Sequence, residues 1–443
     1  MRGTAKSLVV LGVAVAFTAA CTPPLPPDVL AARLERTITC VPGTQEVAVS
    51  PDYFEAVGAV GTALNGLCPD QFIVPVAPGE GSQAAVQILD RPATPADLSQ
   101  FAAQCTGDVL TVPVYGTPIV MAVNILGLDG LKLTPEAVAG VLNGTITSWA
   151  DPVVAEANTG FEIPDIPVDL LRLDGPSGAV EAMTAWLTQQ VPQSWTQGQV
   201  STLTTGRPFA TYQDMVTEMA GGSFEDDLAF EDDFAVDDTL GADENLDFDA
   251  LGEEGAVVEE EVFIDLDADI EFDSLPGEGT VAIMPVFIPN NSVIPIADLP
   301  VDGEPISITN VDLPKVGIAS TTLTVDEVGN IVASHAVGGI PIPEQFDIAS
   351  AKVVLVDGQA LAGWPVIALS SIMVCDKPDD PLPLSIGQFF LRAGGQGTFD
   401  SVGLTPLPEP IRVLAIPALR VQLDSLEDEV DLETEATPVP ISE

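Results

Sequence analysis

Leu133-Thr134-Pro135-Glu136-Ala137-Val138-Ala139-Gly140-Val141-Leu142-Asn143-Gly144 reads as a complete helix with both ends marked. Thr134 supplies an N-cap hydroxyl, and Pro135 fits a first helical position that needs no amide partner. Glu136 places negative charge at the positive end of the helix dipole. Val138, Val141 and Leu142 form the buried stripe, and Asn143-Gly144 stops the helix. A second helix opens at Asp151-Pro152, and a strand is expected from Val168 to Leu173. Gly175-Pro176-Ser177-Gly178 then leads into a helix carrying Met183, Trp186 and Leu187. Upstream, Phe54, Val57, Val60 and Leu64 share one face of a helix expected over Pro51 to Leu67. Strands are expected at 73–76 and 119–125, and Gly279 to Ile288 reads as a buried strand. Strands alternating with helices predict an α/β layered fold.

The chain has 443 residues, 14 basic and 66 acidic, for a net charge of -52. A nucleic-acid binder needs a basic surface, so that class is excluded. Such a charge also repels small anions, but screening confines the repulsion to roughly 8 Å at physiological ionic strength. The single histidine, His335, leaves no basis for a Ser-His-Asp or Cys-His engine or a histidine-rich metal site, and no Gly-x-Ser-x-Gly occurs. No enzyme activity and no cofactor are expected.

Residues 1–20 have the form of an export signal: Arg2 and Lys6, an apolar run from Leu8 to Phe17, then Thr18-Ala19-Ala20. Cys21 follows directly, as in a lipobox whose cysteine is lipidated, although Thr18 stands where that pattern usually has leucine. Pro23, Pro24, Pro26 and Pro27 read as a stiff tether. Cys40, Cys68, Cys105 and Cys375 remain, an even number that implies disulfides in an exported chain. Three pairings are open; Cys40–Cys68 with Cys105–Cys375 is the expected one. Residues 225–273 hold about 22 acids and no base. A compact core cannot absorb such a run, so it reads as an acidic surface insertion or a disordered segment. Asp243, Asn245, Asp247, Asp249 and Glu254 fall at calcium-loop spacing, but Phe248 stands where the sharp turn needs glycine; no metal site is expected.

The stretch from Leu133 through Thr145-Ile146-Thr147-Ser148-Trp149-Ala150-Asp151-Pro152 resembles the substrate-binding protein of bacterial ABC phosphate transporters. Arg172-Leu173-Asp174-Gly175-Pro176-Ser177-Gly178-Ala179 is similar to that family's Arg-x-Asp-Gly-Ser-Gly-Thr loop. Gly81-Ser82, Asp90-Arg91-Pro92 and Ser50-Pro51 resemble its other cleft segments. The resemblance implies an α/β, two-lobed periplasmic-binding-protein-like fold of type II, with mixed sheets flanked by helices and an acidic insertion. The implied division is a signal peptide over 1–20 and a lipidated Cys21 with Pro-rich tether over 21–43. Lobe 1 comprises 44–118 plus 291–422, and lobe 2 comprises 119–290 with the insertion at 223–275. An acidic tail occupies 423–443. It further implies a monomer held at the membrane by its lipid, binding phosphate or a related oxyanion for ABC permease subunits.

The implied ligand-binding residues are Ser50, Ser82, Asp90, Arg172, Ser177, Gly178 and Ala179. A Ser-Gly turn at a helix start presents unpaired amides and the positive end of the dipole, which is an anion site. Arg172 could add a bidentate fork. A carboxylate such as Asp90 repels an anion unless the ligand brings a proton, so it would favour phosphate over sulfate. Pro176 is an extra residue in the loop, and Ala179 replaces a threonine hydroxyl. These departures favour an alternative reading: a cell-surface scaffold that keeps the fold with weakened or lost phosphate binding.

Overall fold

The computed structural model describes residues 38–79, 84–222, 276–301, 364–407 and 409–420, with Val29, Glu35, Ile308 and short strand segments between 304 and 353. The expected signal peptide, Cys21, Ser82, the acidic insertion and the acidic tail lie outside the described residues. In chain order the elements are β1 (Gly43–Ala48), α1 (Phe54–Leu67), β2 (Gln71–Val76), β3 (Val86–Leu89), α2 (Pro95–Ala102) and β4 (Asp108–Asn124). There follow α3 (Pro135–Asn143), α4 (Pro152–Ala157), β5 (Asp169–Leu173), α5 (Gly178–Gln190), β6 (Arg207–Phe209) and α6 (Tyr212–Met219). After residues 223–275 come β7 (Thr280–Pro285), α7 (Phe287–Ser292), β8 (Leu299–Val301), β9 (Glu304–Ile306), β10 (Gly317–Val325), β11 (Ile331–Gly339), β12 (Phe346–Asp347) and β13 (Lys352–Val353). The last are β14 (Val366–Asp376), α8 (Leu382–Phe390), α9 (Ala393–Gln396) and α10 (Glu409–Ala418).

The helix ends follow local chemistry. Thr134 accepts from the Ala137 amide, and Gly144 closes α3 in the left-handed region at φ 70°. Asp151 caps α4 through the Val153 amide. Thr94 and Asp97 form a reciprocal capping box on α2, and Thr211 and Asp214 form another on α6.

β4 organises the sheet. Its 17 residues are buried almost throughout, as befits a central strand. From Asp108 to Pro118 it pairs antiparallel with β14; from Ile119 to Asn124 it pairs antiparallel with β7. The exchange of partners between Pro118 and Ile119 divides one curled sheet into two halves. The first half adds β3, which pairs with β14 and lies parallel to β1, and β2 beyond it; β11 and β10 extend it further. The second half adds β5 and β6, each joined by parallel pairing. α5 packs against β14 of the first half and β7 of the second.

The strand expected over Gly279 to Ile288 is shorter than its apolar run. It ends at Pro285, and α7 begins at Phe287. Pro285 has no amide to extend the ladder, and the Val286 amide donates to Pro118 O at the point where β4 changes partner. The Trp149 indole donates to Gly279 O at 2.9 Å, tying the turn before α4 to the start of β7. The Asn124 amide donates to Met219 O and Gly277 O, so one side chain pins both chain ends flanking residues 223–275. Disulfides join Cys40 to Cys68 and Cys105 to Cys375. No helix among the described residues is long and apolar enough to cross a membrane.

Candidate functional site

The strand β3 ends at Leu89, and the next residue, Asp90, faces the start of α5. The Gly178 amide donates to Asp90 Oδ2 at 2.9 Å. A Cβ at Gly178 would stand 2.0 Å from the Asp90 carbonyl oxygen. Close approach of two backbones, not an unusual φ, is what demands glycine here. The carboxylate thus occupies the positive end of a helix dipole. Burial nevertheless pushes its pKa up, against the Gly178 hydrogen bond and the charge of Arg91. Arg91 itself is engaged by Asp97 through a two-pronged contact at 2.7 and 2.8 Å.

Ser177 is the buried N-cap of α5. Its hydroxyl accepts from the Val180 amide and lies 2.9 Å from the Tyr212 hydroxyl at the start of α6. Ala179 is buried in the first turn. Ser50 precedes the short turn Pro51–Tyr53, where its carbonyl accepts from the Tyr53 amide, and its hydroxyl donates to Asp52 at 3.1 Å. Asp52 is raised by burial, in part offset by that bond, and its charge is felt at Asp90. Asp52 also lines a cavity of about 230 Å³ together with Glu55, Asn290, Asn291 and Asp400.

Arg172 stands apart from this cluster. It lies on β5, where Nη1 donates to Leu173 O and Asp174 approaches to 3.9 Å. No hydrogen bond or ion pair among the described residues joins it to Asp90, Ser177 or Gly178. Asp90, Ser177 and Gly178 are therefore brought together, Ser50 lies at the margin through Asp52, and Arg172 points along its own strand.

Sequence reasoning overlooked the hydroxyls under the cluster. The chain contains three tyrosines in all, Tyr53, Tyr115 and Tyr212, and all three sense the Asp90 charge. Burial is the largest cause raising each phenol, and that charge adds to it. Tyr53 stacks on Tyr115 with ring centres 6.0 Å apart, and Tyr115 leans on Phe399 at 4.9 Å. Tyr115 lies opposite Ser370 across β4 and β14. Ser371 lies opposite Leu89, so the same ladder carries Ser370 to the level of Asp90. Tyr115, Thr117 and Ser370 are wholly buried, and among the described residues none of their hydroxyls has a partner at hydrogen-bond geometry. Ser370 is near enough to the Tyr115 phenol, and Thr117 to Tyr53, to oppose the rise in each pKa. The signal that could have found them is the rarity of tyrosine in so long a chain.

The arrangement is a polar floor on the partner-exchanging strand, a carboxylate at its edge and a helix N-terminus above. Residues 49–231 match the model of a family described as a PBP superfamily domain. The chain is 26% identical over 144 residues to phosphate-binding protein PstS 3 of Mycobacterium leprae (strain TN), covering 31% of this chain and 39% of that protein. It is 29% identical over 105 residues to phosphate-binding protein PstS 2 of Mycobacterium tuberculosis (strain ATCC 25618 / H37Rv), covering 24% and 28%. It thus spans well under half the length of these curated relatives. Similar solved structures include a high affinity periplasmic phosphate-binding protein bound with phosphate, at 12% identity and TM-score 0.45 over 84% of this chain and 93% of that one. An ABC-type phosphate transport receptor from Vibrio cholerae aligns at 9% identity and TM-score 0.37 over 82% and 99%.

Proposed function

We propose that this protein is an extracytoplasmic solute-binding protein that takes phosphate, or a related protonated oxyanion, between its two sheet halves and delivers it to ABC permease subunits. It binds and releases its ligand without covalent chemistry. The observation that carries the reading is the convergence of Asp90, from the end of β3, with Ser177 and Gly178, from the start of α5, over the hydroxyl floor of β4 and β14. Backbone amides and hydroxyls satisfy oxyanion oxygens, and the helix dipole favours their charge. Asp90 accepts a proton-bearing oxygen, which phosphate offers at neutral pH and sulfate does not.

Ser50, Ser82, Arg172 and Ala179 complete the proposed ligand set, Arg172 after a side-chain rotation. Anchoring through a lipidated Cys21, export by residues 1–20 and a monomeric state belong to the same reading. The phosphate-binding relatives support it over the matched segment. Isothermal titration with phosphate, arsenate and sulfate tests it: heat with the first two and none with sulfate is expected. No heat with any oxyanion would remove the proposal.

A further inference from the structure

We propose that the hydroxyls of Tyr115, Thr117 and Ser370 are ligand donors, so that the site grips its oxyanion from below with neutral hydroxyls while the α5 amides hold it from above. This rests on the oxyanion-receptor reading and assigns the floor of that same site. A buried hydroxyl without a partner costs free energy, and native interiors leave few of them. Here three fall in one place, on two adjacent strands, beside a carboxylate that sits on a helix N-terminus. Scattered packing imperfections would have no reason to gather there.

The placement is mechanically apt. Tyr115 and Thr117 share one face of β4 just before Pro118, the last residue paired with β14 before the strand joins β7. A ligand bonded to this floor and to Gly178 bridges the point where the two sheet halves meet. The charged groups around Asp90 are Arg91, Asp52 and Glu181, and the Arg91 guanidinium is already committed to Asp97. Hydroxyl donors therefore supply part of what Arg91 would otherwise give. A phenol is well suited, since its hydroxyl donates while the ring, stacked on Tyr53, fixes its direction.

The test uses near-isosteric changes in the full chain: Tyr115→Phe, Thr117→Val and Ser370→Ala, each titrated with inorganic phosphate and melted without it. Each change should weaken phosphate binding about tenfold, the effect of losing a hydrogen bond to a charged group. The ligand-free melting temperature should stay equal or rise, because each change removes an unsatisfied polar atom. A purely structural hydroxyl gives the opposite pattern, a lower melting temperature with unchanged affinity, and that result overturns the assignment. If the unsubstituted chain binds phosphate and all three variants match it within twofold, the floor assignment alone fails. If the unsubstituted chain binds no oxyanion, both this assignment and the receptor reading fail.

Discussion

The Asp90 carboxylate rests on the Gly178 amide at 2.9 Å, although 88 residues separate the two in the chain. One residue follows a strand of the first sheet half and the other begins the helix that packs on both halves. The contact places a negative charge where an anion would be held, so the protein carries an internal anion at its own candidate site. Any ligand that binds there has to share or take over that amide.

Asp90→Asn should stabilise the ligand-free protein at neutral pH. The folded-state pKa of Asp90 is raised, chiefly by burial. A raised carboxylate binds more protons folded than unfolded, so stability falls as pH climbs from the ordinary value, roughly 3.9, through the folded one. Asparagine keeps an oxygen for Gly178 and carries no charge. The gain in melting temperature should be present at pH 7 and vanish below about pH 4. The amide can also turn a donor toward the ligand, so sulfate should begin to compete with phosphate. A variant equally stable at every pH, or still blind to sulfate, contradicts this account.

Gly178→Ala should separate strand end from helix start. The new methyl would stand 2.0 Å from a backbone oxygen, which cannot swing aside as a side chain could. Overpacking of this kind costs about 1–3 kcal/mol. Phosphate affinity should drop at least tenfold, and scattering profiles should show a more open particle. An unshifted urea midpoint would mean that the approach is looser than described.

Asp97 should report acid unfolding. Burial raises its pKa, but bonds from Arg91 and Thr94 together outweigh that and hold it at about 2. For a depressed carboxylate the stabilising contribution is present above the unfolded value and lost as pH falls through the folded one. The window therefore runs from roughly pH 4 down to about 2. Asp97→Asn should lower stability at pH 7 and flatten the pH dependence in that window, as read by urea denaturation across pH.

The two disulfides should differ in effect. Cys105–Cys375 closes a separation of 270 residues and Cys40–Cys68 one of 28. Constraint of the unfolded chain grows with loop length, and removing a native bridge costs about 2–5 kcal/mol. Replacing Cys105 and Cys375 by serine should move the urea midpoint further than replacing Cys40 and Cys68. The reverse order would show that strain or residual structure dominates over chain entropy.

Salt should speed the capture of phosphate. The net charge of -52 repels anions at long range, and raising ionic strength shortens that reach. Stopped-flow association rates should rise with salt; a fall would mean that local positive potential at the cleft governs encounter.

Much of this protein is decided by short stretches of its chain. Thr134-Pro135 and Asn143-Gly144 fix both ends of α3, and Ser177-Gly178 fixes the start of α5, because caps and dipoles act within a single turn. Apolar periodicity places α1 and β5 for the same local reason. Gly279 to Ile288 shows the limit: its apolar run continues to Ile288, but the strand stops where β4 changes partner at Pro118, which is a property of the ladder. Tertiary structure alone brings Asp90 to Gly178, sets Ser370 level with both Tyr115 and Asp90, and leaves Arg172 along its own strand. Strand register and the meeting of two sheet halves depend on partners far apart in the chain. No local pattern of residues encodes which hydroxyl will face which carboxylate once those partners are packed.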